Sequence, residues 1–248
     1  MVDKYKIYSD YLNKEITYNF LANPDSDIFI YFFDGQNLFH LEDAYMDATF
    51  GMKEALDQIG ITANVVGIFA PYDDNRTNEY TPYKEIDYNA PEYFDMDLDY
   101  NPLGIKTGKF IVEELIPQVE KSKPVSTRLI GGASLGGLMS LYMGATYPKI
   151  FPAVLAMSSH FNINLIESGR FLDKFDDKKQ KVYLDVGDNE YKDNKILTQS
   201  YIDINKIVAG FLVDKVDLMF RVYEDATHHE RDWAKRMPEA LEFLLKDN

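Results

Sequence analysis

The chain contains no cysteine. Disulfides, thiolate zinc sites and cysteine nucleophiles are therefore excluded, while the redox compartment stays undecided. Basic side chains are scarce: 26 Lys and Arg stand against 41 Asp and Glu, a formal net charge of −15. Nucleic-acid binding depends on neutralising phosphates with Lys and Arg, so no nucleic-acid partner is expected, and no anionic membrane surface either. Long hydrophobic runs are also missing. The longest clean one, IFIYFF at 28–33, falls far short of the roughly 20 residues that span a bilayer. The first twenty residues show no apolar h-region and no small-residue cleavage site, so no signal peptide is expected and the expected location is the cytoplasm. Histidine is rare, with only His40, His160, His228 and His229, which narrows any search for a general base.

What is present is enough to build a core, since 46 % of the 248 residues are hydrophobic. Short β-rich runs alternate with helical patterns. Residues 4–8 and 15–20 alternate like strands across a turn at 10–14. The runs 27–33, 63–69, 127–132, 153–159 and 181–187 are almost continuously apolar, as befits strands buried on both faces. A last strand is expected at 215–223. Helical patterns occupy 44–60, ending at Gly60, then 108–120, 137–147 and about 194–212. In the tail, Trp233, Met237, Leu241 and Leu244 recur at spacings of three and four, and Pro238 is expected to start or kink that helix. Strands alternating with helices predict an α/β fold, a mostly parallel central sheet with helices on both faces. No repeat or Gly/Ser linker divides the chain, so one domain over 1–248 is expected. The segment 70–107 is polar, aromatic and rich in proline, and an irregular stretch of that length predicts a functional loop.

Glycine is sparse, with 14 in the chain, yet Gly131, Gly132, Gly136 and Gly137 cluster around Ser134. Residues 132–136 fit G-x-S-x-G, preceded by a strand pattern and followed by a helix pattern. That context is what a nucleophile elbow requires: the serine sits on a strained turn, and its neighbours two residues away must be nearly devoid of side chain. A glycine-rich packing turn is the plainer alternative. A serine hydroxyl needs a base to become nucleophilic. In this fold the order along the chain is Ser, acid, His. His160 follows Ser134 too soon, which leaves His228 or His229, in a loop after the last strand. The acid is expected in the loop after 181–187, where Asp188 and Glu190 both qualify and Asp185 lies inside the strand. An acid there can accept the imidazole Nδ1–H and fix its tautomer. The oxyanion hole takes the amide of Leu135, which follows the nucleophile, and an amide from the DGQ turn after 27–33, that of Gln36.

Together these segments resemble the esterase D and enterochelin-esterase branch of the α/β-hydrolases, the "Putative esterase" family, over residues 7–245. YFFDGQNLF (31–39) resembles the family's hDGqnlF segment, and NRTNEYTP (75–82) its R–eyTP segment. GKFIVEELIPQVE resembles its fi–ElIP helix, and GGASLGGLMSLYMGATYPKIF its elbow. VYLDVGDNEY and HHERDWAKRMPEALEFL resemble its acid loop and terminal segment. The resemblance implies that the base stands five residues before the terminal tryptophan, which selects His228. It implies an acid three residues after the strand-ending glycine, which selects Glu190 and keeps Asp188 in reserve. It also favours the Gln36 amide for the oxyanion hole and brings Arg76 and Tyr80 near the active site. Arg76 would hold an anionic part of the substrate or pair with a structural carboxylate. His160, at the C-terminal edge of the sheet, is a further pocket candidate or else an ordinary satisfied histidine.

Asp95, Asp97 and Asp99 imitate the start of an EF-hand loop, but Tyr100 and Lys106 occupy the places of its glycine and glutamate, so a solvated acidic loop is expected and no metal. No long insertion follows 153–159, so no large cap domain is expected, and 70–107 would shape the pocket. The resulting expectation is a serine carboxylic-ester hydrolase without a cofactor, acting on a small-molecule ester through a Ser134–His228–Glu190 triad and an acyl-enzyme. Acyl transfer, thioester hydrolysis as in the formylglutathione branch, and a non-catalytic siderophore- or ester-binding protein are the alternatives. Oligomeric state is left open, a homo-oligomer included.

Overall fold

The computed structural model describes residues 1–71, 75–84, 100–121, 123–163 and 165–246. The acidic triplet Asp95, Asp97 and Asp99, and much of the loop expected at 70–107, lie outside the described residues.

Eight strands form one sheet: β1 Val2–Ser9, β2 Lys14–Leu21, β3 Ile28–Phe33, β4 Asn64–Ile68, β5 Thr127–Ala133, β6 Ala153–Met157, β7 Lys181–Gly187 and β8 Asp217–Tyr223. Their order across the sheet is β1-β2-β4-β3-β5-β6-β7-β8. β1 and β2 form an antiparallel hairpin, and β2 lies antiparallel to β4. Every other neighbouring pair is parallel. The apolar runs that read as doubly buried strands are the central ones. In β3, Phe29, Tyr31 and Phe33 enter one core while Ile30 and Phe32 enter the other. This is the period-two alternation of a pleated strand, with both faces covered.

The helices are α1 Met52–Ile59, α2 Asn75–Glu79, α3 Gly104–Lys109, α4 Ile116–Glu120, α5 Leu135–Thr146, α6 Leu165–Leu172, α7 Lys195–Leu212 and α8 Glu230–Leu245. One core packs α1 and α8 against the sheet through Met52, Leu56, Trp233, Met237 and Leu241. The opposite core packs Leu138, Phe171 and Val208, from α5, α6 and α7, on the other face. No separate cap domain covers the C-terminal edge of the sheet among the described residues. The fold is the α/β-hydrolase arrangement expected from the alternating pattern.

Two elements differ from the sequence expectation. The helix expected over 44–60 forms only from Met52, because Gly51 takes a left-handed φ of 60° at its N-cap. The chain before it is irregular, and the Phe50 amide donates to the Asn37 carbonyl at 2.8 Å. The helix expected at 108–120 begins earlier, at Gly104, and passes through a π-helical stretch at Phe110–Leu115 between α3 and α4. Pro238, expected to start or kink the last helix, lies inside α8 and so does not start it. Burial of Trp233, Met237, Leu241 and Leu244 on one stripe offsets the single backbone hydrogen bond that proline removes.

Candidate active site

Strand β5 ends at Ala133 and helix α5 begins at Leu135, leaving Ser134 alone in the bend at φ 57°, ψ −123°. A non-glycine residue at positive φ is costly and needs surrounding structure to hold it. Here the Ser134 amide donates to the Met157 carbonyl at 2.9 Å, and its carbonyl accepts the amides of Gly137 and His160 at 3.0 and 3.1 Å. The glycines are explained by contact distances. A Cβ on Gly132 would lie 2.7 Å from the backbone of Gly136, and one on Gly137 would lie 2.5 Å from Ser159 Oγ. The amide of Leu135 is the first of α5, in the turn whose N–H groups have no intrahelical partner.

The loop after β7 carries Glu190, which is 3 % exposed. Its Oε2 lies 2.6 Å from His228 Nδ1. Its Oε1 accepts the Gly187 amide at 2.6 Å and Ser158 Oγ–H at 2.5 Å. Ser158 Oγ in turn accepts the Trp233 indole N–H at 2.9 Å. Burial alone would raise the Glu190 carboxyl. The hydrogen bond and charge of His228, with the bonds from Ser158 and Gly187, outweigh it and hold the group below its ordinary value. The imidazole of His228 is caged by rings. Tyr191 stacks on it at 5.5 Å, and Tyr201 and Trp233 meet it edge-on at 5.5 and 4.9 Å. With Nδ1 committed to Glu190, the ring nitrogen left for chemistry is Nε2.

Asp188 is exposed and its Oδ1 accepts the Asp225 amide at 2.7 Å, so of the two loop acids the structure joins only Glu190 to the imidazole. Asp185 is buried inside β7 and bonds Arg236 at 3.0 Å. His229 caps α8, its Nδ1 accepting the Arg231 amide at 3.2 Å, while its Nε2 lies 3.1 Å from Asp47.

Strand β3 is followed by a second strained residue, Asp34, at φ 56°. It opens the tight turn Gly35–Asn37 that presents the Gln36 amide. Gly35 is required there, since a Cβ would meet the Gly67 backbone at 2.0 Å. The turn is held from several sides. Arg76 grips both Asp34 oxygens with two 2.8 Å bonds. Tyr80 Oη accepts the Asp34 amide at 3.2 Å. Gln36 Oε1 accepts the Ala70 amide at 3.0 Å.

A cavity of about 470 Å³ opens at this edge, lined among others by Ser134, His228, Gln36, Arg76, Glu230 and Trp233. Arg76 meets its second expected role, pairing with a structural carboxylate, and still borders the cavity. Tyr80 and His160, the other two pocket candidates, are not among the described residues lining the cavity. Tyr80 is 1 % exposed, wedged edge-on against Phe33 and under the Arg76 guanidinium. It supports the turn from behind. His160 is buried because its backbone follows Ser158 and Ser159 under the elbow, with its ring against Tyr201. Burial, with the charges of His228 and Arg76, pushes its pKa down to about 3, so it stays neutral. Sequence reasoning missed Ser158, which is recognisable only as a residue just past a buried strand. It also missed the wall residues Asn37 and Glu230, whose letters carry no signal until the loops converge.

The model of the family described as "Putative esterase" matches residues 9–244. A protein of Bacillus subtilis (strain 168), "Uncharacterized protein YbbA", is 24 % identical over 230 residues, covering 88 % of this chain and 86 % of its own. Among solved structures, an IroE-like serine hydrolase from Shewanella oneidensis superposes with a TM-score of 0.78 at 18 % identity, covering 98 % of this chain and 80 % of the other. Siderophore hydrolase EstA from Aspergillus nidulans gives 0.74 at 18 % identity, with 95 % and 92 % covered. The BES protein from Bacillus cereus gives 0.73 at 20 % identity, with 99 % and 95 % covered. At these identities the superpositions speak for the fold, and the family match speaks for the chemistry. The chain belongs to the "Putative esterase" family, ester hydrolases built on the α/β-hydrolase fold.

Proposed function

We propose that the protein is a serine carboxylic-ester hydrolase in which Ser134 is the nucleophile, His228 the general base and Glu190 the orienting acid. The observation that carries the reading is the 2.6 Å contact between Glu190 and His228 Nδ1, with His228 and the strained Ser134 on the wall of one cavity. Glu190 fixes the imidazole with its proton on Nδ1, leaving the Nε2 lone pair for the serine. As Ser134 Oγ attacks the ester carbonyl, His228 Nε2 takes the Oγ proton. The amides of Gln36 and Leu135 receive the negative oxygen of the tetrahedral intermediate, and the positive end of the α5 dipole favours the same charge. The C–O bond to the alcohol then breaks and the imidazolium gives its proton to the leaving oxygen. Water attacks the acyl-serine by the reverse sequence, its proton passing through His228 back to Ser134 Oγ as the acid leaves. The scheme calls for no metal or cofactor. The cavity volume fits a small-molecule ester.

A fluorophosphonate probe tests the reading. The wild type is expected to be labelled and Ser134→Ala not, with nitrophenyl-ester turnover lost in the same variant. A folded wild type that takes no label overturns the assignment in favour of a binding protein. Products formed with added alcohols or thioesters separate hydrolysis from acyl transfer and thioester cleavage.

A further inference from the structure

Glu230, the first residue of α8, is a charged group of the cavity wall that the hydrolytic scheme does not use. It is 7 % exposed. The guanidinium on the same wall bonds elsewhere: Arg76 gives two 2.8 Å bonds to Asp34 and acts on Glu230 only through its charge. Glu230 Oε1 accepts one side-chain bond, from Asn37 Nδ2 at 3.0 Å, and the carboxylate also takes the residue's own backbone N–H. The Asn37 side-chain amide is held in this orientation because Asn37 Oδ1 accepts the Tyr45 amide at 2.8 Å. Among the described residues the only basic side chain within 4 Å is His229, and its Nδ1, 3.7 Å from Oε2, already accepts the Arg231 amide. Among the described lining residues, one guanidinium thus stands against two carboxylates. Burial, with Asp34 nearby, outweighs the bond from its own backbone N–H and the charges of His229 and His228, and raises the Glu230 carboxyl above its ordinary value. Both donors to this buried carboxylate are neutral, and among the described residues no Lys or Arg bonds it directly, so a cation can add a charge-assisted bond there. Tyr45, Phe50 and Trp233 line the same space, and Phe50 stacks on Trp233 at 5.5 Å. Aromatic walls beside a carboxylate favour an ammonium over an anion.

We propose that Glu230 is a specificity-determining residue that receives an ammonium group on the acyl or alcohol part of the ester, so that amino-functional esters are the preferred substrate class. The inference rests on the ester-hydrolase reading above. It also sets a limit: esters with a carboxylate at the same place are disfavoured, because the wall offers them a second carboxylate rather than a free cation.

Matched esters test it. On the acyl side, nitrophenyl 6-aminohexanoate is compared with nitrophenyl heptanoate and with the mononitrophenyl ester of heptanedioic acid. On the alcohol side, 6-aminohexyl butyrate is compared with heptyl butyrate. A charge-assisted hydrogen bond at a desolvated carboxylate is worth about a 10- to 100-fold preference in kcat/KM for the ammonium over the methyl terminus in at least one pair. Glu230→Gln keeps an acceptor for Asn37 and is expected to bring that ratio close to one, whereas a purely structural role would lower both members of the pair together. No preference for the ammonium in either pair overturns the proposal, as does a preference that survives Glu230→Gln. Binding of the same esters to Ser134→Ala, by calorimetry, reads the preference without turnover. If the esters bind with the expected ratio but the wild type hydrolyses none, the hydrolase reading fails while the ammonium subsite stands.

Discussion

Replacing Glu190 by Gln changes one oxygen to NH₂ in a carboxyl whose two ends face opposite demands. Oε1 receives two bonds, from the Gly187 amide at 2.6 Å and from Ser158 Oγ at 2.5 Å. The backbone N–H can only donate, so the amide oxygen of Gln is expected at that end. The NH₂ group then faces His228 Nδ1, which lies 2.6 Å from Oε2. A donor there forces Nδ1 to accept, moves the ring proton to Nε2 and removes the lone pair that would take the Ser134 proton. The fold is undisturbed but the resting tautomer is wrong. Such an exchange in a serine triad costs on the order of 10⁴ in kcat, or roughly 5.5 kcal/mol of barrier. The assay is nitrophenyl-ester kinetics on Glu190→Gln beside Asp188→Asn, with ¹⁵N imidazole shifts to read the tautomer. Asp188→Asn, at an exposed side chain that only supports the Asp225 amide, is expected within about threefold of wild type, as for a surface change. Glu190→Gln retaining more than a tenth of the activity, or Asp188→Asn falling as far, would refute the reasoning.

Gly132→Ala places a Cβ 2.7 Å from the Gly136 backbone. It is expected to lower the melting temperature, at a cost of about 1–3 kcal/mol, and to reduce kcat by displacing the elbow. Arg76→Ala leaves Asp34, whose side chain is 7 % exposed, without its guanidinium. With Arg76 itself partly in solvent, the loss is about 1–3 kcal/mol in a denaturant melt, together with a fall in kcat as the Gln36 turn loosens. His160, held down to about pKa 3 against an ordinary value of 6.5, makes the unfolded state bind the extra proton between those pH values. Its contribution to stability therefore falls as pH drops through that window, by up to about 1.4 kcal/mol per pH unit. His160→Gln is expected to flatten the acid side of a stability-against-pH curve, and an unchanged slope would contradict the burial argument.

Much of this was legible in the letters. The central strands are named by uninterrupted apolar runs, because a strand covered on both faces has no room for polar side chains. The bend at Ser134 is announced by glycines that contact distances make obligatory. The reserve left at the acid position had a physical cause as well. Asp188 and Glu190 differ by two residues on one loop, and composition does not say which side chain turns inward. That was decided by Gly187 and Ser158, donors contributed by the end of β7 and the residue after β6.

The same division runs through the rest of the site. Local sequence determines what depends on neighbours a few residues away: the period of a strand, the cap of a helix, the tolerance of a turn for side chains. Tertiary structure decided whatever depends on segments far apart in the chain. It turned Tyr80 and His160 into supports behind the wall, and it committed Arg76 to Asp34 across 42 residues. It also brought Asn37 to Glu230 across 193. Such contacts form only when the sheet gathers its C-terminal loops at one edge, and no local pattern carries their distance or direction.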